Sequence, residues 1–125
     1  MGIMEVAVRD HLLADPDVSE LVSTRIYPGA LPQAAIYPAI RYQRVDTVRV
    51  YSKAGYEGDS RPRLQIDCWA ETYLEAKRLA DAVRTAMDGF PEFAVCENEQ
   101  DGYEPDPDPP VYRVILDFSI WHREE

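Results

Sequence analysis

Within residues 63–88 the hydrophobic period changes from two to about 3.6, and this change most narrows what the chain can fold into. Leu64, Ile66, Cys68 and Ala70 alternate with Arg63, Gln65, Asp67 and Trp69, the pattern of a strand with one buried face. After Glu71 the spacing lengthens. Ala76, Leu79, Ala80, Val83 and Met87 then recur on one helical face, while Lys77, Arg78, Asp81, Arg84 and Asp88 occupy the rest. Thr72 and Glu75 form a capping box that satisfies two backbone donors left open at a helix start. Gly89 is expected in the left-handed position after the helix, and Pro91 prevents its continuation.

The flanking segments follow the same logic. Residues 3–14 form a helix with Ile3, Val6, Ala7 and Leu13 on its apolar side, stopped at Asp15-Pro16 because proline disfavours a helical residue before it. Val18, Leu21 and Val22 add about one further turn. Residues 24–37, with Pro28, Gly29 and Pro32, are predicted as a loop. Residues 39–45 and 47–51 read as β structure, either one long strand or a bent one. Residues 53–62 hold two glycines and little apolar content, and are expected to be a mobile loop. A short strand is predicted at 93–97, an acidic, proline-rich loop at 98–110, and a last strand at 111–122. In that strand Tyr112, Val114, Leu116, Phe118 and Ile120 make the apolar face, with Arg113, Asp117 and Ser119 opposite. The order helix, strands, helix, strands favours an α+β fold: a mainly antiparallel sheet with two helices packed on one face, in a single domain over residues 1–125.

Composition excludes several functions. The 125 residues carry 13 Lys and Arg against 23 Asp and Glu, a formal charge of −10. Such a surface repels a phosphate backbone, so no specific nucleic-acid binding is expected. It serves solubility, or lines a passage that must not hold DNA. No run approaches the roughly 18 apolar residues of a membrane span, and the start lacks a signal-peptide pattern, so a soluble cytoplasmic product is expected. Cys68 and Cys96 read as buried free thiols, with a disulfide as the alternative. His11 and His122 lie near opposite ends, His11 as a solvated side chain, and no nucleophile elbow, phosphate loop or metalloprotease helix is present. Asp101, Asp106 and Asp108 alternate faintly like a calcium loop but lack its glycine and its closing glutamate. No cofactor, no metal and no catalytic residue is expected.

The outward side of the two clean strands carries more information. If they share a sheet, Asp67, Trp69, Asp117, Ser119 and Trp121 lie away from the helices, and tryptophan there points to a subunit interface or to cover from a terminus or loop. Arg41, Arg44 and Arg49 on the earlier strands are candidates for the complementary patch. Lys53, Gly55, Tyr56, Gly58, Asp59 and Arg61 are candidates for a loop that orders on assembly.

Several runs bear a family likeness. Arg25-Ile26-Tyr27-Pro28-Gly29 with Leu31-Pro32-Gln33, the run from Pro38 to Val45, and Leu64-Gln65-Ile66-Asp67-Cys68-Trp69-Ala70 leading into Tyr73, Ala76, Leu79, Ala80 and Val83 resemble the tail completion, or tail-to-head joining, proteins of long-tailed phages. The closing run from Tyr112 to Trp121 is similar to the last strand of that family. The resemblance implies a structural role without catalysis. It implies ring oligomers, commonly hexamers, on the head-proximal end of the tail tube, contacting the tail tube protein and the head–tail connector protein. It also implies residence in the virion after synthesis in the host cytoplasm. An acidic binding module, mimicking DNA or neutralising a toxin, is the alternative from a different class; a small carboxylate hydrolase is a third.

Overall fold

The computed structural model describes residues 3–52, 55–107 and 109–123. Three helices, α1 (Ile3–Ala14), α2 (Pro16–Val22) and α3 (Tyr73–Asp88), accompany six strands: β1 (Ile26–Pro28), β2 (Ala39–Ser52), β3 (Gly55–Ala70), β4 (Ala94–Glu104), β5 (Val111–Ile120) and β6 (His122–Arg123). The sheet order is β1-β2-β3-β5-β4, with β6 pairing β3. All pairings are antiparallel except that of β1 with β2. The α+β class is therefore as expected, with a third helix where only one turn was predicted.

Alternation builds the core. Leu64, Ile66, Cys68 and Ala70 of β3 and Val114, Leu116, Phe118 and Ile120 of β5 are buried against Ala76, Leu79, Ala80, Val83 and Met87 of α3. The helix starts as predicted in part. The Glu75 amide donates to Thr72 Oγ1 at 3.2 Å, but the Thr72 hydroxyl itself donates to Glu75 Oε1 at 3.1 Å. It ends at Gly89 with φ −94°, not in the left-handed region, so any residue could adopt that backbone. Thr72→Ala should lower stability by about 1 kcal/mol through loss of the N-cap acceptor; an unchanged urea midpoint would show that solvent caps this end equally well.

The first helix turns a different stripe inward. Met4, Val8 and Leu12 are at most 1% exposed, while Val6, Ala7 and Leu13 are only half-buried. Spacing of four places those three residues on one line, and the expected set straddled it. Asp15 Oδ1 then accepts from the amides of Asp17 and Val18, capping α2 with Pro16 in its first turn. Arg25 closes the other end, donating from Nη2 to the Leu21 carbonyl and from Nε to that of Pro38.

Three predicted loops contain strands. Residues 26–28 pair in parallel with 40–42. Residues 55–62 belong to β3 and ladder with 47–52 of β2, so Gly55, Tyr56, Gly58, Asp59 and Arg61 lie in a strand rather than in the expected loop; Lys53 lies outside the described residues. Residues 98–104 continue β4 along β5. Residues 39–52 form one strand, with register shifts between Arg44 and Asp46 and between Arg49 and Tyr51.

Candidate functional site

Helices pack on one face of the sheet only, and the opposite face is where charge and aromatic rings meet. Strand register decides its membership. Asp67 of β3 stands opposite Arg41 of β2 and Ile115 of β5, Gln65 opposite Asp117, Trp69 opposite Arg113, and Arg63 opposite Ser119.

At the centre Asp67 is fully buried although it lies on this outward face. Arg41 Nη1 donates to its Oδ2 at 2.9 Å, Gln65 Nε2 to its Oδ1 at 2.9 Å, and Arg113 Nη1 stands 3.9 Å away. Burial pushes the carboxyl above its ordinary value, and the Gln65 hydrogen bond and the two guanidinium groups pull against that push. The Arg113 guanidinium lies over the Trp69 ring, 5.0 Å from its centroid, and also reaches Glu104 at 3.2 Å. Arg41 Nε, Trp69 Nε1 and Arg113 Nε are buried without a hydrogen-bond acceptor among the described residues. A hollow of about 370 Å³ beside Trp69 and Arg41 is walled by Leu31, Tyr37, Glu104 and Pro107. At the far end Trp121 is 43% exposed, and the Arg61 guanidinium lies 5.4 Å from its ring centroid.

The expected patch is thus brought together in part. Asp67, Trp69, Asp117 and Ser119 share the outward face, Trp121 follows at its end, and segment 29–37 half-covers Trp69. The three arginines separate. Arg41 is spent on Asp67 within the chain, and Arg44 turns to the helix side, where its Nε donates to Glu5 Oε1 of α1 at 2.6 Å. The Arg49 side chain lies outside the described residues. Arg113 was not singled out, although it stands in the same outward alternation as Asp117 and Ser119 and was findable there.

Other candidate groups serve the fold. His11 is half-buried, not solvated: its Nε2 lies 2.6 Å from the Ala86 carbonyl, and its ring meets Phe90 edge-on at 5.3 Å. A carbonyl only accepts, so Nε2 carries a proton. Cys68 is buried, and burial raises its thiol far above the reactive range; Cys96 is exposed rather than buried, and neither is bonded to the other. Asp101 lies in β4, where it accepts from Lys77 Nζ at 2.7 Å and from the Tyr73 hydroxyl at 2.8 Å. Those bonds pull its carboxyl below the usual range. Among the described residues no group of three or more His, Cys, Asp or Glu is placed to hold a metal ion, and no helix is long and apolar enough to cross a membrane.

The sheet is clad by helices on one side and carries interlocked charge and tryptophan on the other, in an α+β fold. The family model for the tail completion protein gp17 matches residues 6–123. The chain belongs to that family: it is a structural virion assembly protein of the phage tail, not an enzyme. Its fold is similar to a chain in a solved structure described as the virion of a native gene transfer agent particle. The TM-score is 0.74 at 20% identity, covering 94% of this chain and 92% of that one. Comparison with curated protein sequences found no match.

Proposed function

We propose that the chain caps the head-proximal end of the tail tube and joins tail to head as one subunit of a self-assembled ring of six. It would contact the tail tube protein on one side and the head–tail connector protein on the other. The observation that carries this reading, beside the family, is the sheet face that no helix covers. Trp69, Arg113 and the buried Asp67 are held rigid there by their mutual contacts, and Trp121 stands 43% exposed at its border. A preorganised aromatic and guanidinium surface loses little freedom on docking, and such residues dominate binding energy at interfaces.

Trp121→Ala tests it. The residue lies outside the buried core, so the variant should keep the circular dichroism and melting of the parent protein. The ring species in size-exclusion chromatography with light scattering should fall or vanish. A variant that assembles normally would move the interface elsewhere, and one that unfolds would place Trp121 in the core. Salt offers an independent reading. Each subunit carries −10, and closing a ring gathers like charge. Raising salt from about 10 mM to about 150 mM shortens the screening length from about 30 Å to about 8 Å, and should increase the ring fraction.

A further inference from the structure

The sheet has two open edges that differ in kind. On one side β4 has no strand partner beyond β5 among the described residues, so one side of its backbone over residues 94–104 is unpaired. On the other side β1 covers β2 only as far as Tyr42, which leaves residues 43–52 of β2 similarly open among the described residues. Unpaired edges of this length are templates for a further strand, and soluble proteins normally block them.

Charge decides little between the two edges: Lys77, Arg84 and Arg113 answer Glu99, Asp101 and Glu104 of β4 within the chain, and Arg44 of β2 is held by Glu5. Shape and strand direction must choose the partner. Exposed apolar side chains gather at both edges: Phe93, 68% exposed, and Tyr103, 52% exposed, bracket β4, while Val45, 49% exposed, stands at the bulge in β2.

Strand direction gives a further constraint. The successive antiparallel pairings of β2 with β3, β3 with β5, and β5 with β4 make β2 and β4 run in opposite directions. Rotation about a ring axis keeps each strand's direction along that axis. A neighbour's β2 brought beside β4 is therefore antiparallel to it, the more stable pairing. A contact between two different patches is also the kind that closes into a ring.

We infer that β4 of one subunit pairs with the open part of β2 in the next copy of this chain, so that the sheet continues from subunit to subunit. This inference rests on the ring reading above and adds to it the strands that make the joint. The bulge between Cys96 and Asn98 on one edge, and that at Val45 on the other, interrupt each ladder and restrict pairing to a matched partner.

Amide hydrogen exchange on the full chain, read in monomer and ring fractions separated by size, tests the joint. In the monomer the outward amides of residues 94–104 and 43–52 should exchange freely. In the ring both segments should slow by at least about tenfold, since each gains a ladder. A ring in which neither segment slows overturns the inference and leaves the ring reading standing. If no ring forms at any concentration, and electron microscopy finds none on tails, both readings fall together. Phe93→Ala gives a second arm. It should melt with the parent protein and show a ring dissociation constant raised by about tenfold or more, as for an aromatic anchor; an unchanged constant counts against the joint.

Discussion

Leu79→Ala should cost about 2–5 kcal/mol of stability, the range for emptying a leucine site in a packed core. Leu79 is fully buried in the single apolar cluster that joins α3 to β3 and β5. Most of the stability of a helix in a folded protein comes from packing its apolar face, and here that face is seated on the sheet. Truncation removes apolar contact from both sides of the joint and leaves a cavity that a β-sheet floor cannot collapse to fill. The measurement is a urea melt at a concentration where the protein is monomeric, because assembly would add stability by mass action and mask the loss. The midpoint should fall at an unchanged slope. A neutral Leu79→Ala would mean that α3 is not seated as described.

The legible parts of the fold were those in which side-chain pattern and backbone demand agree. In β3, β5 and α3 the apolar period matches the element, and the buried residues are those the period selects. Strand β4 was not legible beyond its start, because Glu97, Glu99, Asp101 and Glu104 in an acidic, proline-flanked stretch carry no apolar face. Its backbone ladder with β5 holds it, and its helix-side acids are compensated by side chains distant in sequence. Lys77 reaches Glu99 and Asp101, and Arg84 reaches Glu99. The first part of β3 failed for a similar reason: glycine and charge argue for a loop, but pairing with β2 decides. In α1 apolar residues occur on more than one line, so the inward stripe was set by packing. Of the site, the outward alternation of Asp67, Trp69, Asp117 and Ser119 was readable. The Arg41–Asp67 pair was not, since it joins positions 26 residues apart through a register that no local pattern specifies.

Arg41→Ala should cost about 3 kcal/mol at neutral pH, near the lower end of what breaking a buried ion pair costs. Asp67 has no exposed surface, and removing Arg41 takes away the donor 2.9 Å from its Oδ2. The loss stops short of the upper end because Gln65 still donates to Oδ1 and Arg113 remains 3.9 Å away. The sign of the pH dependence follows from the direction of the shift. In the folded protein burial holds the Asp67 carboxyl above its unfolded value of about 3.9. A group raised in this way contributes fully below the unfolded value, and that contribution is lost as pH rises through the folded one. Arg41 works against the rise, so its removal lifts the folded value further and enlarges the loss at pH 7. Toward pH 4 the variant's carboxyl takes up a proton more readily than the parent's, which removes buried charge, and the penalty should shrink toward about 1 kcal/mol, that of a lost hydrogen bond. Taking the difference between variant and parent at each pH removes the contributions of groups distant from Arg41. Asp67→Asn supplies the control: in that background Arg41→Ala should cost about 1 kcal/mol or less at both pH values. Equal penalties at pH 4 and pH 7 in the parent background would show that Arg41 acts by packing its stem on the sheet and not through the charge of Asp67.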